Sequence, residues 1–260
     1  MNLTAQSAND AWLRALGMLL YRGQRVAPRG MGTTELPHLT SIVDMHRPVL
    51  TIQERKLNYR FMAAEAYWIL SGDDSVEGVV PYNSQLLKFS DDGESFAGAY
   101  GPRIAAQLDY VVETLVKDPM SRQAGLTIWT PNPQPSKDIP CTVALWFQLR
   151  GGVLDVHAFM RSNDFWLGFP YDVFNFSMVG HLVAGLLREY SVEAEAGALY
   201  HTAVSAHIYD EHLPLANEIW HGGHYPSGCM NQGPANMEPV KLMALLRDLR
   251  EKGNEQLRWW

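Results

Sequence analysis

Residues 131–190 constrain the fold more than any other stretch of this 260-residue chain. Four prolines between Pro131 and Pro140 exclude helix and strand there and demand an extended surface loop. The loop ends on Cys141. Two β-rich segments follow, 141–150 and 153–160, and Gly151-Gly152 between them signals a hairpin turn. Next come Arg161-Ser162-Asn163-Asp164 and Gly168-Phe169-Pro170-Tyr171-Asp172, which lead into the longest helical pattern, Tyr171 to Tyr190. Val173, Phe176, Val179, Leu182 and Leu186 share one face of that helix. A strand pair and a long apolar helix must therefore pack together, and they carry a thiol, an arginine and a carboxylate.

The rest of the chain mixes helices and strands without a regular alternation. Trp12, Leu13, Leu16, Leu19 and Leu20 repeat at helical spacing over 10–20, and further helices are expected over 55–71, 104–117 and 237–252. Strands are expected over 125–130 and 199–208, and the stretch 22–34, broken by Pro28-Arg29-Gly30-Met31-Gly32, reads as a loop. That order indicates an α+β fold. Hydrophobic residues at 47% and charged residues at 19% are those of a globular protein, and the length suits one domain, 1–260, with a substantial core. A net charge of −7 without a basic stripe argues against a nucleic-acid polymer as partner, though a single nucleotide needs only a few local arginines. Two cysteines, Cys141 and Cys229, suggest no disulfide framework. Met1 to Asp10 lacks an apolar leader pattern and no apolar run reaches ~18 residues, so the expectation is a cytoplasmic protein away from the membrane.

Cys141, Arg161 and Asp172 together suit attack on a nucleotide base whose phosphate is held. A thiolate adding at C6 of a pyrimidine breaks the ring's aromaticity and turns C5 into a nucleophilic carbon. Positive charge must depress the thiol pKa, and Arg161 is the candidate source. Arg161-Ser162 also suits a phosphate dianion, since a guanidinium binds it bidentately. Asp172 bears on the choice of base. A carboxylate accepts from cytosine N4 and supports a proton on N3, whereas it faces O4 of uracil acceptor to acceptor. Cys141 as a small core residue and Asp172 as a helix N-cap are the structural alternatives. Glu65 has Phe61, Trp68 and Ile69 at helical spacing, which puts its carboxylate on an apolar stripe, where its pKa should rise.

At these spacings the chain resembles the thymidylate synthase family, whose active-site stretch runs Pro-Cys-His, Arg-Ser-x-Asp and Gly-Leu-Pro-Phe-Asn. Thr142 stands here where the family has His, and Asp172 where it has Asn. Both departures are similar to the deoxycytidylate hydroxymethylase branch. The resemblance covers about residues 20–213. It implies a bent mixed sheet packed against helices, and a homodimer docked sheet to sheet. Further site residues are implied by the resemblance alone. Glu65, in Glu65-Ala66-Tyr67-Trp68-Ile69-Leu70-Ser71-Gly72-Asp73, organises water and relays protons. Tyr100, in Tyr100-Gly101, assists removal of the C5 proton. Arg29 joins Arg161 and Ser162 at the phosphate, and Arg122 reaches the phosphate site of the partner subunit. The family has a second arginine where Gln123 stands, so Arg25 or Arg103 are substitute donors. His207 and Tyr209 meet the sugar hydroxyl, and Asp164 and Gly168 meet the folate. Tyr82 replaces a tryptophan that shields the reacting carbon, and the C-terminus, here ending in Trp259-Trp260, closes over the folate.

The resulting expectation is an enzyme that takes dCMP, 5,10-methylenetetrahydrofolate and water to 5-hydroxymethyl-dCMP and tetrahydrofolate. Reductive methylation of dCMP, hydroxymethylation of CMP, and a catalytically silent nucleotide-binding protein are the alternatives. No metal is expected: His221, His224 and Cys229 place three soft ligands together without a fourth at matching spacing.

Overall fold

A computed structural model describes residues 1–223 and 236–252. The elements run β1 (Asn2–Ala5), α1 (Ala8–Arg22), β2 (Gln24–Val26), β3 (Thr33–Asp44), α2 (Tyr59–Leu70), α3 (Val76–Val79), α4 (Tyr100–Lys117) and β4 (Gly125–Thr127). They continue with β5 (Thr142–Arg150), β6 (Val153–Met160), β7 (Asn163–Asp164), α5 (Phe169–Glu189), β8 (Glu195–Tyr209), α6 (Leu213–His221) and α7 (Pro239–Lys252). The α+β class is as expected. One mixed sheet has the order β1-β3-β8-β6-β5-β4, with β2 on β3 and β7 on β8. The parallel pairs β1–β3 and β6–β8 each need a crossover, and α1 and α5 supply them.

Strand residues alternate between a buried and an open face, the pattern of a sheet covered on one side. Helix α5 fills the covered side, with Val173, Phe174, Phe176, Val179 and Val183 buried against β6 and β8. Each such side chain contributes roughly 1.5–3 kcal/mol by leaving water. The open side shows Trp146, Phe159 and Val204 at 44%, 45% and 46% exposure. His157 and Tyr200 stack on that side with ring centroids 4.4 Å apart, and the Thr40 and Thr202 hydroxyls meet at 3.0 Å.

The hairpin 141–160 and the helix after it lie where the sequence puts them. The expected loop over 22–34 instead holds β2 and the start of β3, a strand paired along its length with β8. Glu35, Pro37 and His38 hide β3 in the sequence. Pro37 lacks a ladder donor, and His38, at φ 56°, sits between the pairs Pro37–Ser205 and Leu39–Ala203 in an unbroken register. Helix α2 starts at Tyr59, later than expected, because the Asn58 side chain caps it by accepting from Phe61 N at 3.0 Å. β4 is shorter than its expected span, and α6, which has Pro214 in its first turn, was not expected.

Candidate active site

Four chain segments build the site: α2, the segment from α3 to the start of α4, the segment from Pro131 to β5, and the turn from β7 into α5. That last turn is tightly organised. Asp164 Oδ1 accepts from the N–H groups of Trp166 (2.7 Å) and Leu167 (3.0 Å), and Asp164 O accepts from Gly168 N at 2.9 Å. Helix α5 therefore starts at Phe169, with Gly168 as its cap and Asp172 inside the first turn. Asp172 makes no cap hydrogen bond, so the N-cap alternative falls away, and its carboxyl lines the cavity.

That cavity, of about 160 Å3, has Glu65, Tyr100, Asp138, Asp172 and Asn175 as its polar walls. Trp68, Ile69, Leu86, Phe89 and Phe96 form an apolar side. Asn175 Nδ2 donates to Glu65 Oε2 at 2.7 Å, and Asn163 Nδ2 donates to Asp172 Oδ2 at 2.5 Å. Burial raises the Glu65 carboxyl to about 7, against the Asn175 bond. Burial raises Asp172 to about 8, helped by the nearby Glu65 and opposed by Asn163. Two carboxyls in one cavity thus hold protons near neutrality. Asp172 is expected from the sequence to act as a carboxylate; its burial and the nearby Glu65 shift it towards the acid form.

Cys141 stands at the head of β5 beside these walls rather than on them. Arg161 N donates to Cys141 O at 2.9 Å, and the Arg161 side chain ties down the preceding loop, with Nε to Pro140 O at 3.0 Å and Nη2 to Ile139 O at 2.9 Å. Its guanidinium also lies 5.8 Å from the Trp129 ring centre. Arg161 and Arg29 lower the thiol pKa, but burial is the larger effect, and Asp172 and Asp138 add to it. The net shift is upward, against expectation. Burial comes from tertiary packing that the local sequence does not contain.

Tyr100, at the start of α4, stacks on Phe176 at 6.3 Å. Its phenolic oxygen accepts from both Thr142 N (3.3 Å) and Thr142 Oγ1 (3.0 Å). Burial, then Asp172 and Cys141, keep its pKa well above the usual value. The raised pKa keeps the group a neutral phenol.

The remaining residues lie around this centre. Arg29 is exposed with φ 54°, a left-handed conformation uncommon outside glycine. Arg122 is exposed in the α4–β4 connection, and its carbonyl accepts from Trp146 Nε1 at 3.1 Å. Ser162 is half-buried next to Arg161. His207 and Tyr209 lie on β8 with ring centroids 5.3 Å apart. Tyr82 follows α3, with the Arg60 guanidinium 5.7 Å from its ring and its carbonyl accepting from Asn58 Nδ2 at 2.8 Å. Arg25 and Arg103 are otherwise engaged. Arg25 pairs with Asp210, and Arg103 donates to Ala97 O and Ala99 O, both at 2.8 Å. His224, Cys229, Trp259 and Trp260 lie outside the described residues. Among the described residues no cluster of His, Cys, Asp and Glu has metal-binding geometry, and no helix is long and apolar enough to cross a membrane.

Sequence reading missed Asn163, Asn175, Asp138 and Arg55. Asn175 had a signal, as a polar residue three places after Asp172 on an apolar helix face. Asp138 lies in the proline-rich loop expected at the surface, yet it accepts from Gly98 N at 2.7 Å and reaches the cavity. Arg55 donates to Trp166 O through Nε (3.0 Å) and Nη2 (2.6 Å) and stacks on the Trp166 ring at 4.8 Å, beside Asp164 and Tyr171.

Residues 11–232 match the family model described as thymidylate synthase. A deoxyuridylate hydroxymethyltransferase of Bacillus phage SP01 is 31% identical over 76% of this chain and 56% of its own length. A deoxyuridylate hydroxymethyltransferase of Pseudomonas phage M6 is 30% identical over 83% of this chain and 64% of its own. A Methanosarcina acetivorans protein, whose name assigns it provisionally as a thymidylate synthase, is 25% identical over 85% of this chain and 94% of its own length. The chain therefore spans little more than half the length of the SP01 relative. The family match covers the thiol, the three cavity carboxyls and the turn from β7 into α5: this chain belongs to the thymidylate synthase family.

Proposed function

We propose that the protein transfers a one-carbon unit from 5,10-methylenetetrahydrofolate to C5 of dCMP, giving 5-hydroxymethyl-dCMP. The observation that carries this is the pairing of Asp172 and Glu65, two carboxyls that hold protons near neutrality in one cavity. Asp172 in its acid form donates to cytosine N3 and accepts from N4, so the proton that N3 needs as charge builds in the ring is already in place. Cys141 adds to C6, with Arg161 and Arg29 supplying positive charge beside the thiol and the phosphate. The C5 proton passes to water and from it to the ionised Glu65 carboxyl, and Tyr100, held by Thr142, lines the path. Glu65, held by Asn175, positions the water whose oxygen becomes the hydroxymethyl group. The folate supplies the carbon at the oxidation level of formaldehyde, and water addition returns it as tetrahydrofolate. The apolar side formed by Trp68, Phe89 and Phe96 suits a flat heteroaromatic ring.

The hydroxymethyl product is supported by the names of the two phage relatives. Those names also favour a second reading, the same transfer to dUMP. Steady-state kinetics of Asp172→Asn separate the two. An amide cannot pass a proton to cytosine N3 as charge builds in the ring, so the variant should shift the ratio of kcat/KM for dUMP over dCMP upward by about 10^2-fold or more. A variant with undiminished preference for dCMP would remove Asp172 from base reading. A homodimer is part of the proposal: Trp146, Phe159 and Val204 on the open sheet face match an interface core, and exposed Arg122 would reach the partner's phosphate site.

A further inference from the structure

Asp172 can discriminate bases only if its proton sits on a defined oxygen. Cytosine offers an acceptor at N3 and a donor at N4, and uracil offers the two in the opposite order. A carboxylic acid likewise shows one donor and one acceptor. If its proton moved freely between Oδ1 and Oδ2, the acid would match either base equally well. Something must fix the order.

We propose that Asn163 is the positioning residue that fixes this order and thereby sets the enzyme's choice of base. Asn163 Nδ2 donates to Asp172 Oδ2. An oxygen that accepts a hydrogen bond is held as the carbonyl of the acid, which leaves the proton on Oδ1. Asn163 is itself 3% exposed, and its place in β7, paired with Ala206 of β8, gives the amide a rigid mount. Gly168 closes the third side. A Cβ there would lie 3.3 Å from Asn163 Nδ2, 3.3 Å from Asp172 Oδ2 and 3.2 Å from Asp164 O, so a larger residue would press on the amide–carboxyl pair. The same logic holds a histidine in one tautomer through a partner on its far nitrogen. The charged and titratable groups around Asp172 do not perform this task. Glu65 on α2, Tyr100 on α4 and Cys141 before β5 change how readily the carboxyl ionises, whereas the Asn163 bond distinguishes one oxygen from the other.

The inference rests on Asp172 facing the base. Its test is the preference ratio between dCMP and dUMP, measured both as kcat/KM and as equilibrium binding, in the wild type, Asn163→Leu and Asn163→Ala. Leucine retains the volume without the donor, and alanine removes both. Either variant should bring the ratio towards unity by about tenfold or more, whichever base the wild type prefers. A structural role alone would weaken both nucleotides equally and leave the ratio unchanged, which would overturn the inference. A wild type that prefers dUMP would defeat the proposed substrate while leaving this test intact. If Asn163→Leu does not fold, the binding ratio of Asn163→Ala decides.

Discussion

Replacing Glu65 with glutamine should stabilise the protein at high pH and leave its stability unchanged at low pH. Below 4.5 the glutamate is protonated in both folded and unfolded chains, so it makes no difference to stability. Between 4.5 and about 7 only the folded state keeps the proton, and stability falls with each pH unit. Above about 7 the full penalty of the buried charge is in place. At about 1.4 kcal/mol per pH unit, the span from 4.5 to about 7 corresponds to about 3 kcal/mol. Glutamine avoids that penalty and keeps the acceptor for Asn175 Nδ2, now 2.7 Å from Glu65 Oε2. Its amide can also donate to Asn175 Oδ1, which is buried without a hydrogen-bond partner among the described residues. Urea unfolding at about pH 8.5, at fixed protein concentration, should show Glu65→Gln more stable by about 3 kcal/mol, with a midpoint temperature about 6 °C higher. At about pH 5 the difference should shrink to less than about 1 kcal/mol. Activity should fall by about 10^2–10^4-fold, since an amide cannot relay a proton. An equal gain at both pH values would mean that packing, not charge burial, explains the change. A loss at pH 8.5 would refute the reasoning outright.

Two other perturbations test separate parts of the account. Arg161→Lys keeps the charge but loses the fork that holds Pro140 O and Ile139 O together, so kcat/KM should drop by about 10^2-fold and the thiol should react with alkylating agents at an altered rate. Wild-type kinetics from the lysine variant would show that the guanidinium geometry is dispensable. Trp146→Glu combined with Phe159→Glu places two charges on the open sheet face and should convert a dimer to monomers in sedimentation. Activity should fall with it, because Arg122 then has no neighbouring phosphate site. An unchanged dimer would place the interface elsewhere.

The region from Pro131 to Tyr190 was legible because its local signals agree. Prolines, a Gly-Gly turn, β-rich segments and an apolar helix each point to one local structure. Strand β3 was not legible, since Pro37 and His38 break its pattern and its place between β8 on one side and β1 and β2 on the other makes it a strand. Of the candidate site, Glu65, Tyr100 and Asp172 could be named from the sequence and they line one cavity, but their protonation could not be read. The carboxyl of Glu65 was expected to be raised from its place on an apolar stripe, and it is. Cys141 was expected to be lowered by Arg161, yet burial by distant elements outweighs that charge. Asn163, Asn175 and Asp138 are short polar residues that acquire their partners only through tertiary contact.

The central claim is tested most directly by offering the protein dCMP with methylenetetrahydrofolate, and dUMP in parallel, while recording product mass and dihydrofolate absorbance together. The account predicts a dCMP product heavier by CH2O, without dihydrofolate, and slower turnover of dUMP. A product heavier by CH2 with matching dihydrofolate, or turnover of dUMP alone, would contradict it.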